Sequence, residues 1–202
     1  MLLMNLADSA KLKRSMSQLG LAMNLGEALP TVANGNEART VFIDLPRAKD
    51  SWKSVGIERL REWARSSSLD SNQLMVYAGV SVTGEDLCFD LAAAPHLLVG
   101  GTTGSGKSVF LHSLLLSLLL CHTLNSLQLA LIDPKQVEFR PYANLPNLYR
   151  NEIATEVDAA REMLEELVLE MDTRYGMFNR LGVNHIGEAR HKGQALPFIV
   201  VH

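Results

Sequence analysis

The stretch Leu97–Ser108, with the sequence LLVGGTTGSGKS, decides the fold of this chain. Its apolar start predicts a short buried strand over 97–99, and an apolar helix is expected to follow from Ser108. Between them lies a match to the pattern G-x-x-x-x-G-K-[ST] of the phosphate-binding P-loop, or Walker A motif. The match consists of Gly101, Thr102, Thr103, Gly104, Ser105, Gly106, Lys107 and Ser108. Because strand, loop and helix all agree with the motif, a chance glycine-rich turn is the less favoured interpretation.

The motif also predicts what its residues do. The glycines let the backbone turn tightly and bring its N–H groups close to a polyphosphate. Lys107 is expected to reach the β- and γ-phosphates and to act as the catalytic residue that stabilises their charge, whereas the Ser108 hydroxyl is expected to ligate Mg²⁺. The helix N-terminus further favours an anion at this place. All eight residues are therefore candidate contacts for ATP, with Ser108 as the candidate Mg²⁺ ligand.

Composition and charge limit the class of protein. The chain has 202 residues, of which 47% are hydrophobic and 20% are charged, and its formal net charge is −3. These values are ordinary for a globular protein and argue against disorder. The strongly basic character of a DNA-coating protein is absent, although a motor that touches DNA through a few loops remains compatible with this charge.

The sequence predicts a cytoplasmic chain with no membrane segment. The most apolar run, Val109–Cys121, is too short to cross the hydrocarbon core of a bilayer. A signal-peptide pattern is missing, because Asp8 and Lys11 interrupt the N-terminal apolar residues. We expect the two cysteines, Cys88 and Cys121, to be buried free thiols of a reducing compartment.

Hydrophobic periodicity and turn residues predict the elements around the P-loop. Before it, we expect a helix over 5–25, a turn-rich linker over 30–36, a strand over 40–45, a helix over 56–65 and a β-hairpin from 74–82 and 87–91. After it, we expect strands over 127–132 and 196–201 with a long helix between them. This alternation of strands and helices implies an α/β fold with a parallel sheet.

The long helix is expected to begin at a Thr155 N-cap and to end at Gly182. Its apolar residues lie at helical spacing and predict one buried stripe, made of Val157, Ala160, Leu164, Leu167, Met171, Tyr175 and Phe178. Glu170 and Arg174 form an i,i+4 pair on its surface.

Several further segments resemble the FtsK/SpoIIIE family of DNA translocases: Pro95–Gly100, Ile132–Phe139, Leu145–Leu148, Glu170–Tyr175 and Leu196–Val201. The segment Asp133-Pro134-Lys135 favours this DNA-pumping family over type VII secretion ATPases. Those proteins look similar around the P-loop but tend to have an Asp-Phe-Lys-Gly type of segment here. Apart from the resemblance, Asp133-Pro134 is more simply an ordinary strand-ending turn.

The resemblance implies a domain organisation and a function. Residues 95–202 would form a partial, RecA-like P-loop NTPase core, preceded by a small α+β segment over 36–94. Residues 1–35 would be the end of a preceding small α/β domain with its linker. The chain would be the ATP-binding part of an ATP-driven double-stranded DNA translocase of the chromosome segregation, cell division or DNA transfer type. The complete motor would be a homo-hexameric ring around the DNA.

The chain also departs from the family pattern. It stops at His202, before the acidic Walker B residues that help to hold Mg²⁺ in such ATPases, and before the downstream arginine and most of the pore loops. We therefore expect this chain by itself to bind ATP but to hydrolyse it poorly. Two alternatives stay open: a protein-secretion or conjugation ATPase on the same core, and a non-catalytic truncated remnant. Whether a membrane anchor precedes Met1 is open as well.

Overall fold

A computed structural model describes residues 2–3, 6–23, 25, 29–34, 40–47, 53–66, 70–81, 83–94 and 96–202. The chain divides into two compact units, residues 1–54 and residues 55–202. The predicted domain limits at 35/36 and 94/95 stay predictions.

The first unit contains a helix and a small antiparallel sheet. Its elements are β1 (Leu2–Leu3), α1 (Leu6–Ala22), β2 (Thr31–Asn34) and β3 (Thr40–Asp44), with the sheet order β1-β3-β2. Helix α1 and strand β3 confirm the predictions over 5–25 and 40–45. The prediction of a linker over 30–36 is wrong for β2, in which Val32 lies opposite Ile43 of β3. Thr31 and Val32 are β-branched and favour the extended backbone that this pairing needs.

The second unit begins with a helix and a β-hairpin. These are α2 (Ile57–Ser66), β4 (Met75–Val80) and β5 (Asp86–Asp90), and the two strands pair antiparallel as predicted. Leu60 and Trp63 of α2 are buried and form a cluster with Tyr77 of β4. The hairpin is therefore covered by α2 through a few large side chains.

A parallel sheet forms the centre of the second unit, as the sequence predicts. Its strands are β6 (Leu127–Ile132), β7 (Leu148–Ala154) and β8 (Phe198–Val201), in the order β7-β6-β8. Leu129 of β6 lies opposite Leu148 on one side and Val200 on the other. The helices are α3 (Lys107–Cys121), α4 (Val157–Leu181) and α5 (Ile186–His191), with a 3-10 turn at Arg140–Tyr142. The sequence did not predict β7 or α5.

Helix α3, which follows the P-loop, packs against both sheets of this unit. Its buried leucines, among them Leu115 and Leu118, share one core with Leu127, Leu129 and Leu131 of β6. Each such side chain contributes about 1.5–3 kcal/mol by leaving water. On the hairpin side, the Tyr77 N–H donates to Ser117 Oγ at 3.0 Å and Ser113 Oγ donates to the Tyr77 carbonyl at 2.9 Å. The middle and the C-terminal half of α3 are thereby fixed to the body of the unit. Among the described residues, no helix is both long and apolar enough to cross a membrane.

The segment over 97–99 is not a strand, which corrects the prediction from its sequence. Leu98 is 96% exposed. A cavity of about 640 Å³ is lined by this segment and by β8. In the part of the chain that the structure describes, β8 pairs with β6 alone, so 97–99 has no hydrogen-bonded strand beside it.

Helix α4 buries less of its apolar stripe than predicted. Val157 is 76% exposed and Tyr175 is 58% exposed, whereas the residue of α4 that is fully buried against Ala130 and Ala154 is Met163, which the predicted stripe does not include. Of the stripe, Ala160 and Leu167 pack partly buried against the cluster of Met163, and Leu164, Met171, Tyr175 and Phe178 line a cavity.

The C-terminus of α4 matches the prediction, whereas its N-terminus does not. Gly182 ends the helix in the left-handed conformation, with φ 63°, as expected. The N-cap is Glu156 rather than Thr155, and no side chain caps it. The predicted pair is present, because Arg174 Nε donates to Glu170 Oε1 at 2.7 Å.

One of the two cysteines contradicts the expectation of burial. Cys88 lies in β5 and is exposed, although it lies opposite the buried Tyr77 of β4, on which Leu60 and Trp63 of α2 pack. Cys121, at the end of α3, is half-buried and burial raises the pKa of its thiol. Both are free thiols.

Candidate functional site

The P-loop runs directly into the N-terminus of α3. Gly106 is the N-cap and has φ 93° and ψ 8°, a left-handed conformation that side chains other than glycine rarely adopt. The Phe110 N–H donates to the Gly106 carbonyl at 2.9 Å and closes the first turn. No described side chain caps this terminus. The first N–H groups of a helix that lack a side-chain cap are suited to bind an anion.

The loop itself is tightly turned. The Ser105 N–H donates to the Thr102 carbonyl at 3.1 Å. A Cβ atom added at Gly101 would collide with the Ser105 hydroxyl in its present position, so a larger residue here would require the Ser105 side chain to turn away. The glycines at both ends of the motif therefore have a structural reason that the sequence pattern anticipates.

Seven of the eight P-loop residues line one cavity of about 440 Å³, and Ser105 is the exception. The lining consists of Gly101, Thr102, Thr103, Gly104, Gly106, Lys107, Ser108, Val109 and Glu138. Two larger cavities, of about 570 and 640 Å³, adjoin β8. Mainly apolar side chains line those two, so they offer a phosphate group fewer hydrogen-bond donors than the P-loop cavity does.

Lys107 and Ser108 converge on a carboxylate that the sequence did not single out. Ser108 Oγ donates to Glu138 Oε1 at 2.8 Å, and Lys107 Nζ lies 4.0 Å from the same oxygen. The side chains of Lys107 and Ser108 thus both approach one anionic oxygen, Glu138 Oε1. Glu138 lies thirty residues after Ser108 along the chain, and its only sequence signal is membership of the segment Ile132–Phe139.

Asp133 fixes the loop that carries Glu138. It follows β6 and is only 5% exposed. Its Oδ2 accepts the backbone N–H of Glu138 at 2.9 Å and that of Phe139 at 3.0 Å. Asp133 therefore does end the strand, as a turn residue would, and it also positions the backbone of the residue that reaches the P-loop.

The charged groups meet at the carboxyl edge of the parallel sheet. His202 follows β8 there, and its imidazole has a pKa below the ordinary value, first because of burial and then because of the positive charge of Lys107. The negative charges of Glu138 and Asp133 act on this pKa in the opposite direction. Ligands of open α/β sheets bind at this edge.

The residues present fit a polyphosphate with Mg²⁺. The loop offers N–H donors and the Lys107 charge for phosphate, and Ser108 with Glu138 offers the oxygen atoms that Mg²⁺ prefers. Within the described ranges, no group of three or more His, Cys, Asp or Glu side chains could hold a metal by itself. A Mg²⁺ ion at this place would thus depend on phosphate oxygens and water as well, which is its usual mode of binding.

Comparison with known proteins finds a family match and several relatives. The FtsK/SpoIIIE family profile matches residues 59–199. The chain is 35% identical over 170 residues to the DNA translocase SftA of Bacillus subtilis, a match that covers 80% of this chain and 17% of that protein. It is 35% identical over 150 residues to the DNA translocase FtsK of Streptococcus pneumoniae, covering 69% of this chain and 19% of the relative. The DNA translocase FtsK of Mycobacterium tuberculosis is 40% identical over 129 residues, covering 64% of this chain and 15% of the relative.

The chain thus spans less than a fifth of the length of these relatives. The matched range contains the P-loop, Asp133 and Glu138. It confirms the resemblance drawn from the sequence, and the chain belongs to the FtsK/SpoIIIE family.

Proposed function

We propose that this chain is the ATP-binding part of an ATP-driven double-stranded DNA translocase, built on a RecA-like P-loop NTPase core. One observation carries the nucleotide half of this proposal: Lys107 and Ser108 converge on one anionic oxygen at the mouth of the loop. The names of the relatives, all DNA translocases, support the DNA half.

Each part of the P-loop has a role in this proposal. The backbone N–H groups of the loop and of the first turn of α3 hold the phosphates of ATP. Lys107 stabilises the charge that develops on the transferred phosphoryl group. Ser108 supplies a hydroxyl ligand to Mg²⁺, which neutralises phosphate charge when it is bound.

Contact with DNA is proposed for the assembled protein, which we expect to be a homo-hexamer. Helix α2 carries three arginines, and two of them are poor candidates for this contact. Arg59 is paired with Asp86 at 2.8 Å, and Arg61 with Glu58 at 2.9 Å. Carboxylates that lie this close weaken the attraction of these guanidinium groups for phosphate.

The test measures phosphate release by the full-length protein with and without duplex DNA, for the wild type and for Lys107→Ala. We expect DNA to stimulate release in the wild type and Lys107→Ala to abolish that stimulation. Lys192→Ala, which removes an equal charge outside the P-loop cavity, should behave as the wild type.

The same assay separates the alternatives. ATP hydrolysis that duplex DNA does not stimulate would contradict the translocase and favour a protein-secretion ATPase on the same core. ATP binding with no turnover in the full-length protein would favour a non-catalytic remnant.

A further inference from the structure

We infer that Glu138 is a ligand of the Mg²⁺ ion of bound Mg-ATP, next to Ser108. This inference rests on the proposed nucleotide site. Ser108 Oγ and Glu138 Oε1 lie 2.8 Å apart. Adjacent oxygen ligands in an octahedral Mg²⁺ site with bonds of about 2.1 Å lie about 3.0 Å apart. The two atoms are therefore already spaced as neighbouring ligands of one ion.

The position of Glu138 is fixed through its backbone. Its N–H is held by the buried carboxylate of Asp133 at 2.9 Å, and the next residue, Phe139, is 2% exposed within the core. The side chain itself is 32% exposed, so water and an ion can reach it. Glu138 is thus a preorganised carboxylate at the open side of the site rather than a freely moving surface residue.

Because of its charge, Glu138 should have opposite effects on ATP binding in the presence and in the absence of Mg²⁺. In the absence of Mg²⁺, a carboxylate beside Lys107 and Ser108 repels the phosphates and occupies the groups that should bind them. With Mg²⁺ present, the carboxylate and the phosphates can share one divalent cation, so the repulsion becomes a favourable interaction. Glu138 should therefore couple the binding of nucleotide to the binding of Mg²⁺.

A simpler role would be that Glu138 only blocks the empty P-loop. Removal of its charge would then strengthen ATP binding equally in the presence and in the absence of Mg²⁺. The two roles differ in the Mg²⁺ enhancement, defined as the ratio of the ATP dissociation constant in EDTA to that in excess Mg²⁺.

The experiment is a calorimetric titration of the 202-residue chain with ATP in EDTA and in excess MgCl₂. The proteins are the wild type, Glu138→Gln, Glu138→Asp and Glu165→Gln. Glu165→Gln makes the same isosteric change on the exposed surface of α4 and serves as the matched control. Urea unfolding of each variant checks that it is folded.

We expect Glu138→Gln to bind ATP more tightly in EDTA and to lower the Mg²⁺ enhancement at least about tenfold. Glu138→Asp keeps the negative charge but has a side chain that is shorter by one methylene. It should therefore still bind ATP weakly in EDTA, and it should lose most of the Mg²⁺ enhancement. Glu165→Gln should match the wild type in both buffers.

An unchanged Mg²⁺ enhancement in Glu138→Gln would overturn the inference while leaving the nucleotide site intact. If Glu138→Gln binds ATP more tightly by the same factor in both buffers, the inference is likewise overturned and the blocking role is supported. A wild type that binds no ATP in either buffer would contradict the proposed function, and the inference would fall with it.

Discussion

Two loops meet at Ser108, and the structure holds them in different ways. The part of the P-loop that precedes α3, over 101–106, is exposed, and tight backbone turns at glycine shape it. The loop over 134–139 after β6 is held by the buried carboxylate of Asp133 and by the buried ring of Phe139. The first loop takes its shape from backbone turns, so we expect its side chains to be dispensable for that shape. The second presents one side chain, Glu138, and so its backbone has to be fixed from within the protein.

The largest expected effect comes from a side chain placed in the P-loop. Gly106→Val would force a β-branched residue into φ 93° and fill the space in front of the helix N-terminus. We expect ATP affinity to fall by more than about 100-fold, measured by calorimetry, with an unchanged circular dichroism spectrum.

The control is Gly193→Val, at a glycine with φ 83° outside the P-loop cavity. It brings a similar backbone strain and should leave ATP binding unchanged. Tight ATP binding by Gly106→Val would show that the loop does not surround phosphate.

A smaller effect is expected on the free energy of unfolding, which should depend on side chains at the second loop but not at the P-loop. Asp133→Ala removes the acceptor of two backbone N–H groups, one of them at the buried Phe139. We expect the free energy of unfolding to fall by about 1.5–3 kcal/mol, the range for hydrogen bonds to charged groups. Thr103→Ala, in the exposed P-loop, should change it by less than about 0.5 kcal/mol. Urea unfolding measures both, and equal losses would remove the difference between the loops.

The smallest effect concerns pH at the edge where the loops meet. Burial and Lys107 lower the pKa of His202 in the folded state, so the unfolded chain binds a proton more readily. The corresponding stability is complete above the ordinary histidine pKa of about 6.5 and is lost as pH falls through the lower folded value. We expect the free energy of unfolding to decrease on acidification from neutral pH, and to decrease less in His202→Asn. A variant with the same pH dependence as the wild type would exclude this contribution.

The contrast between the loops explains what could be predicted from the sequence. The P-loop is a local pattern, in which glycine at fixed positions is required by backbone geometry. The start of α3, the hairpin of β4 and β5 and the parallel strands β6 and β8 are also local patterns, and the structure confirms them. Glu138 was missed because its contact with Ser108 joins residues thirty positions apart, and no local pattern encodes that contact.

The wrong predictions also concern long-range packing. The segment over 97–99 is apolar enough for a strand, but a strand forms only where another strand lies beside it. The stripe predicted on α4 is apolar enough for burial, yet the residue of α4 that is fully buried against the sheet is Met163, outside that stripe. Sequence periodicity shows which face of an element can be buried, and the neighbouring elements decide whether it is.

The most direct measurement of the central claim is a calorimetric titration of Mg-ATP into the 202-residue chain and its Lys107→Ala variant. Lys107 Nζ lies 4.0 Å from Glu138 Oε1, and we expect it to face the phosphates of bound ATP. Its loss should weaken Mg-ATP binding at least about tenfold, which corresponds to about 1.4 kcal/mol. Equal affinity of the wild type and the variant would contradict the assignment of Gly101–Ser108 as a phosphate-binding loop.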